Sequence, residues 1–169
     1  MRWIISLLVF AVTAIAAHFF VLGSIPGLIM NKAHATFEAQ GVPQNVFLAS
    51  ARQTPTTQRI VRPSPDLAYA LCRFDTRDGP VRISAPIGDG YGSLSIFDDQ
   101  TDNVFVGDLS PGSAFDNVIV SHSRHKGARE PDVVLDGAGI ALIRRLAPTQ
   151  AEYDVAAALV SAATCKKAD

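Results

Sequence analysis

Two histidines three residues apart are the most direct candidates for chemistry in this 169-residue chain. His122 and His125 lie in a polar segment, and histidines at this spacing can share a metal ion on one side of a turn. A metal site needs further ligands, and the nearest carboxylates, Glu130 and Asp132, belong to the same polar segment. The sequence therefore favours a solvated loop, with a metal site as the weaker alternative.

Two other motifs with the composition of ligand sites are better explained as turns. Asp98, Asp99 and Asp102 form an acidic cluster, but the glycine and terminal glutamate of a calcium-binding EF-hand loop are absent. Aspartates are also common in turns because they bond to nearby backbone amides. The glycine-rich segment 88–92 lacks the Lys-Ser/Thr pair of a phosphate loop and leads into a predicted strand, so it indicates a hairpin.

The sequence contains neither a Gly-x-Ser-x-Gly elbow nor a Ser-x-x-Lys motif, and it predicts no cofactor. A catalytic triad assembled by folding would leave no such signature, because triads are defined by geometry. The arginines on predicted strands are interpreted as surface charges, although an arginine in the mouth of a sandwich would hold a carboxylate ligand: Arg73, Arg82, Arg144 and Arg145. A net charge of −1 with scattered basic residues argues against a nucleic-acid partner.

A run of short apolar segments predicts the strands that position these residues. Between Leu67 and Asp108, apolar and polar residues alternate with a period of two, which indicates strands with one buried face. Asp78-Gly79 and Asp89-Gly90 predict hairpin turns, so this stretch is expected to be an antiparallel meander. Further strands are predicted at Asn117–Ser121, Pro131–Leu135 and Ile140–Leu146. Some are apolar on both faces, which favours a mainly β fold of two sheets packed as an antiparallel β-sandwich.

The C-terminal segment predicts an α-helix that carries the second of two cysteines. Thr149 and Glu152 match a capping box. Apolar residues then recur at helical spacing, which would place Cys165 on a buried face within reach of Cys72 in the first long strand: Ala151, Val155, Ala158, Ala162 and Cys165. An even pair of cysteines in an exported domain indicates a disulfide, and two buried thiols are the alternative.

The N-terminal segment predicts a membrane anchor over residues 1–30. Trp3–Leu22 contains no Asp, Glu, Lys or Arg and as a helix would rise about 30 Å, the thickness of a hydrocarbon core. Arg2 precedes this run, and the positive-inside rule then favours a cytoplasmic N-terminus and an external main domain. A signal peptide cleaved after Ala35 is the principal alternative, because Ala33-His34-Ala35 has the small-x-small pattern of a cleavage site. A buried soluble helix is the third.

One face of this apolar run predicts contact with another membrane helix. Ala11, Ala14 and His18 lie on the same side of a helix, and small residues permit close helix packing. An ionisable residue inside a membrane usually finds a partner, which makes His18 the residue of interest. The alternative is that His18 reaches the interface without a partner.

Residues 31–63 are interpreted as an amphipathic helix and a linker before a β-sandwich domain at 64–169. A second helix is predicted from Pro26 to Gln40, with Gly41 ending it, and a continuation of the first helix through Pro26 is the alternative. The proline-containing segment Val42–Ser64 is expected to be irregular, with a short helical turn at Val46–Arg52.

The central motifs resemble a known family. The segments Ser64–Asp75, Gly79–Ile83 and Tyr91–Asp98 are similar to the uncharacterised bacterial envelope family called domain of unknown function 1254, particularly its short membrane-anchored members. The resemblance implies a β-sandwich of jelly-roll type. Many relatives carry a second sandwich domain, called 1214, so it also implies a separately encoded partner with that domain. The family has no established activity, and no residue here inherits a role.

Three functions remain open from the sequence. The leading hypothesis is a non-enzymatic accessory or binding subunit of an envelope complex, anchored in the bacterial inner membrane by one helix with its β-sandwich in the periplasm. It would contact the lipid bilayer and another membrane or periplasmic protein. The second is a small-ligand or metal-dependent enzyme that uses the mouth of the sandwich. The third is a soluble periplasmic protein released by cleavage.

Overall fold

The protein consists of two β-sheets, a long N-terminal helix and a short C-terminal one. The computed structural model describes residues 2–54, 63–123 and 131–168. In these ranges the helices and strands, in chain order, are α1 (Arg2–Ala39), β1 (Leu48–Ala49), β2 (Leu67–Asp75), β3 (Val81–Ser84), β4 (Gly92–Phe97), β5 (Asn103–Asp108), β6 (Asn117–Ser121), β7 (Val133–Val134), β8 (Ala138–Leu146), α2 (Gln150–Leu159) and β9 (Thr164–Lys167).

The strands form two sheets. The first has five strands in the order β1-β2-β8-β4-β5, all paired antiparallel. The second has four strands in the order β7-β6-β3-β9, in which β6 and β7 are parallel and the other pairs antiparallel. Strand β8 is central to the first sheet, because it pairs along its whole length with β2 on one side and through Ile140–Arg145 with β4 on the other.

Side chains from both sheets share one buried apolar cluster. Every second residue of β2 and of β8 is buried, as expected for strands with one face in a core. The largest fully buried members include Phe74 from β2, Leu94 and Ile96 from β4, and Ile83 from β3. A smaller cluster of Ala68, Ala147 and Ala156 holds α2 against β2 and β8.

The predicted disulfide between Cys72 and Cys165 is present, although the local structure around Cys165 differs from the prediction. The helix ends at Leu159, and Cys165 lies in β9, opposite Ile83 of β3. The predicted buried face of the helix is wrong, because its other members are exposed: Ala151, Val155, Ala158 and Ala162. Cys165 is buried through its position in β9, not through the helical periodicity. The bond joins a strand of each sheet across 93 residues of sequence.

The predicted antiparallel meander is wrong. Strand β2 pairs with β1 and β8, and β3 pairs with β6 and β9. Of the described strands between Leu67 and Asp108, only β4 and β5 pair with each other. At Asp78-Gly79 the chain instead changes sheets after a 3₁₀ turn, and the buried Thr76 hydroxyl donates to the carbonyl of Leu135 at 2.5 Å. Alternation with a period of two reports which face of a strand is buried, not which strand is its neighbour.

The second helix predicted after Pro26 is also wrong, since α1 continues through this residue to Ala39. Proline removes one backbone donor, here the donor to the carbonyl of Leu22 four residues earlier, and apolar helices tolerate this loss. The nearby Ser24 hydroxyl donates to a different carbonyl, that of Phe20, at 2.7 Å. The predicted stop at Gly41 is confirmed: its φ is 73°, and backbone bonds from Gly41 to Glu38 and from Val42 to Phe37 form a Schellman motif.

The end of α1 contacts the β structure. Glu38 lies 3.7 Å from Arg73 of β2, and Arg73 Nε donates to the carbonyl of Val42 at 2.9 Å. Met30 is buried and Ser24, Pro26 and Gly27 are half-buried, whereas residues 2–23 are exposed. In the segment interpreted as a linker, Phe47 belongs to the core and Leu48–Ala49 form β1 in place of the predicted helical turn.

Helix α1 is long and apolar enough to cross a membrane, with a mean hydropathy of 2.5 in its most apolar window and no burial there. It thus has the length and composition of a membrane anchor or of a signal sequence.

Removing the disulfide is expected to destabilise the β structure strongly. Replacing both Cys72 and Cys165 by alanine frees a loop of 93 residues, which by loop-closure entropy lowers the free energy of unfolding by about 4–5 kcal/mol. Urea denaturation of both proteins measures the difference. A loss below about 1 kcal/mol would show that the bond contributes little constraint.

Candidate functional site

A buried arginine marks the most unusual polar site in the described residues. In β8 the buried positions are Gly139, Ala141, Ile143 and Arg145, so Arg145 continues the row of side chains that faces the core. Only 5% of Arg145 is exposed. Arg144 lies on the opposite face, where its Nη2 donates to the hydroxyl of Ser95 at 2.6 Å.

The guanidinium of Arg145 lacks an acidic partner in the described part of the chain. Its Nη2 donates to the carbonyl of Pro86, and none of the ion pairs between described residues includes it. Burial lowers the pKa of this guanidinium from its usual value, yet an arginine remains charged in a protein. Arg145 thus presents a positive charge that no described acidic residue neutralises. Burying such a charge raises the free energy of the folded state.

Small residues make room for this side chain. Ala68 of β2 and Gly92 of β4 are its neighbours across the sheet. A Cβ atom would lie 3.1 Å from Arg145 Nη1 at Gly92 and 2.7 Å from it at Gly88. Gly88 and Gly92 therefore form a wall against which the guanidinium packs. The hairpin predicted for segment 88–92 is wrong, because the segment connects β3 of one sheet to β4 of the other.

Backbone hydrogen bonds hold this glycine segment in place. The amide of Gly88 donates to the carbonyl of Leu109 at 3.0 Å, and the amide of Leu109 donates to the carbonyl of Gly92 at 2.9 Å. The amide of Leu146 donates to the carbonyl of Tyr91 at 3.0 Å. The segment is thus fixed both to the end of β8 and to the buried Leu109.

Arg145 opens into a groove of about 490 Å³ between the glycine segment and α2. This volume lies within the range of roughly 300–1,000 Å³ usual for small-molecule sites. The apolar residues of the walls come from both sides of the groove: Ile87, Leu146, Ala151, Val155, Ala156 and Leu159. Val155 is 62% exposed, so the helix face predicted to be buried through Val155 instead borders the groove.

The start of α2 supplies an acidic residue to the groove. Glu152 accepts hydrogen bonds from the amide and the hydroxyl of Thr149, at 2.9 and 2.6 Å, which completes the predicted capping box. The Thr149 hydroxyl, followed by its backbone amide, lowers the pKa of Glu152. This carboxylate is accordingly ionised near neutral pH and is engaged in capping the helix.

The histidines predicted as metal candidates are only partly described. His122 Nδ1 lies 3.4 Å from Asp136 Oδ1, and Asp136 also accepts from the amide and hydroxyl of Ser123 at 2.6 and 2.8 Å. His125 lies outside the described residues. Within the described ranges no cluster of three or more metal-ligating side chains occurs. A metal site at His122 and His125 stays a prediction.

Two further predictions concern the acidic turn and the apolar helix. Asp98 accepts from the amides of Gln100 and Asp102, both at 2.8 Å, which confirms the role of local hydrogen bonding in this turn. Ala11, Ala14 and His18 are exposed on α1, and the His18 ring makes an edge contact with Phe19. Their contact with another membrane helix stays a prediction.

Comparison with known proteins identifies the family. The family model described as a protein of unknown function, DUF1254, matches residues 44–166. The chain belongs to this family. The match begins in the segment interpreted as a linker, in agreement with the position of Phe47 in the core. No curated protein matches this DUF1254 chain.

One solved structure shows the same fold. The VPA0106 protein from Vibrio parahaemolyticus superposes with a TM-score of 0.60 at 16% identity, over 86% of this chain and 37% of that one. An uncharacterized protein from Burkholderia cenocepacia matches at 20% identity with a TM-score of 0.41, over 80% of this chain and 38% of that one. The DUF1254 chain therefore spans less than two-fifths of the length of either protein.

Arg145 was the residue that the sequence interpretation placed wrongly, as a surface charge. The sequence did contain a signal, because alternate residues of a strand face the same side. If Ala141 and Ile143 face the core, Arg145 must face it too, and Arg144 must face away. The role of Gly88 and Gly92 carried no such signal, since segment 88–92 meets β8 only after folding.

A double-mutant cycle tests whether Gly88 is required for the placement of Arg145. The methyl group in Gly88→Ala would press on Nη1, so we expect this change to cost less in an Arg145→Met background, with a coupling of about 0.5–3 kcal/mol. Urea denaturation of the four proteins gives the coupling. Gly90→Ala is the matched control, because a Cβ there meets nothing within 4 Å. Equal costs of Gly88→Ala in both backgrounds would contradict the arrangement.

Proposed function

We propose that this DUF1254 chain is a non-enzymatic binding subunit anchored in the bacterial inner membrane, with its β domain in the periplasm and the Arg145 groove as its ligand site. The observation that carries the proposal is the buried guanidinium without an acidic partner in the described residues, at the base of an open groove. A ligand carboxylate would supply the missing counter-charge.

The nature of this residue favours binding over catalysis. An arginine remains protonated at ordinary pH, so it holds and orients an anion but does not transfer protons. Glu152, an acidic residue of the groove, accepts hydrogen bonds from Thr149 at the start of α2. The groove therefore combines one fixed positive charge and two carboxylates, those of Asp89 and Glu152, with apolar walls. Apolar walls with a few polar groups are typical of a ligand-binding pocket.

The proposed location is supported by α1 and by the disulfide. A helix with the length and composition of a membrane span precedes the β structure. Disulfides persist in oxidising compartments such as the periplasm, and Cys72 and Cys165 are bonded. Arg2 before the apolar run favours a cytoplasmic N-terminus. The uncleaved anchor and this orientation are parts of the proposal.

The proposed fold in finer detail is a β-sandwich of jelly-roll type. Its support is that strands of both sheets contribute to one apolar cluster and that a disulfide joins the sheets. The groove would then be the mouth of the sandwich, where Arg145 ends the row of inward side chains. We further propose that another membrane or periplasmic protein, such as one carrying a 1214-type domain, is the partner of this subunit.

Retention of a native ligand tests the function. We expect the full chain purified from native membranes to retain a carboxylate-bearing small molecule that is reduced at least tenfold in Arg145→Gln, because a charge-assisted hydrogen bond contributes about 1.5–3 kcal/mol. Mass spectrometry of extracted small molecules measures the retention, and intact mass shows whether the chain begins before Thr36.

Arg144→Gln is the matched control, because this neighbouring arginine lies on the opposite face of β8. It should retain the ligand as the unaltered chain does. Equal retention in all three proteins, or retention in none, would contradict the binding role of Arg145. A mature chain that begins at Thr36 would contradict the anchor.

A further inference from the structure

We infer that the ligand of the Arg145 groove is an amphipathic monocarboxylate, with its carboxylate on Arg145 and its hydrocarbon chain along the wall formed by α2. This inference rests on the proposed function and adds the chemical class of the ligand. The head group and the hydrocarbon chain are supported by different features of the groove.

The head group follows from the single guanidinium. Among the described residues, Arg145 is the one basic residue that lines the groove, and its planar fork matches the two oxygens of a carboxylate. Nη2 already donates to the carbonyl of Pro86, whereas Nη1 packs against Gly88 and Gly92 and has no hydrogen-bond acceptor among the described residues. One anionic group of unit charge completes this site.

The acidic residues of the groove argue against a ligand of higher negative charge. Asp89 and Glu152 both line it, so the two carboxylates outnumber the single guanidinium. Like charges at close range raise the free energy of binding, and a phosphate monoester would bring nearly two negative charges. A carboxylate brings one, which Arg145 neutralises.

The hydrocarbon part follows from the walls. Ile87 and Leu146 on one side and Val155 and Leu159 on the other side offer apolar surface to the groove. Leu146 is 52% exposed and Val155 is 62% exposed, although both adjoin a buried charge. Exposed apolar residues that border a concave site are typical of ligand contact surfaces, and they give binding energy only to an apolar ligand.

Binding of defined carboxylates tests the ligand class. The probes are acetate, hexanoate and octanoate, together with octyl phosphate and octanol, each titrated calorimetrically into the full chain in phosphatidylcholine nanodiscs with empty discs subtracted. We expect affinity to rise about fourfold per methylene, hence about 15-fold from hexanoate to octanoate. Octanoate should bind at least tenfold more tightly than octyl phosphate or octanol.

Two variants and a control locate the ligand. Arg145→Gln and Val155→Glu should each weaken octanoate at least tenfold, the first by removing the counter-charge and the second by adding a carboxylate to the apolar wall. Ala158→Glu places the same charge on an exposed position of α2 that does not line the groove, and it should leave the affinity unchanged.

The outcomes separate this inference from the proposed function. If acetate and octanoate bound equally tightly and both depended on Arg145, only the inferred hydrocarbon chain of the ligand would be wrong. If octyl phosphate bound more tightly than octanoate, only the inferred carboxylate head group would be wrong. Failure to bind octanoate by a chain that retains a native ligand through Arg145 would also overturn only the inference. If Arg145→Gln bound octanoate as tightly as the unaltered chain does, both the inference and the proposed function would be wrong. Both would also be wrong if the chain bound none of the probes and retained no native ligand.

Discussion

The alternation of side chains along β8 is the constraint on which both the fold and the candidate site depend. This strand pairs with β2 and β4, and its inward residues, Ala141 and Ile143, belong to the core shared by the two sheets. The next inward position is Arg145, so the geometry that builds the core also directs a positive charge into the protein. Because β8 is held on both sides, the backbone cannot turn to expose this residue without losing its pairing.

Several features near Arg145 accommodate the charge without neutralising it. Small residues flank it in the sheet, Gly88 approaches its Nη1, and the Pro86 carbonyl accepts one hydrogen bond. An apolar side chain of similar volume would require none of these adaptations and would avoid the desolvation of the guanidinium. On this account, Arg145 lowers stability and small neighbouring residues make space for it. Ligand binding explains such a residue better than folding does.

The sequence predicted local structure well where the signal is local. The capping box at Thr149, the helix end at Gly41 and most strand positions depend on a few neighbouring residues, and the structure has them. The disulfide was predicted from the even pair of cysteines in a domain expected to be exported. Strand partners were not predictable in this way: Asp78-Gly79 is compatible with a hairpin and with the observed change of sheet. The groove combines segment 88–92 with α2, which are some 60 residues apart in sequence, so its existence depends on the tertiary fold.

The central claim is that Arg145 serves to bind a ligand and that its burial lowers the stability of the folded protein. The most direct measurement is the free energy of unfolding of Arg145→Met and of the unaltered chain by urea denaturation without added ligand, with Arg144→Met as the control. The account predicts that Arg145→Met is more stable by about 1–4 kcal/mol, because an unpaired buried charge is replaced by an apolar side chain of similar length. A loss of stability in Arg145→Met larger than that in Arg144→Met would contradict the account and would make Arg145 a structural residue.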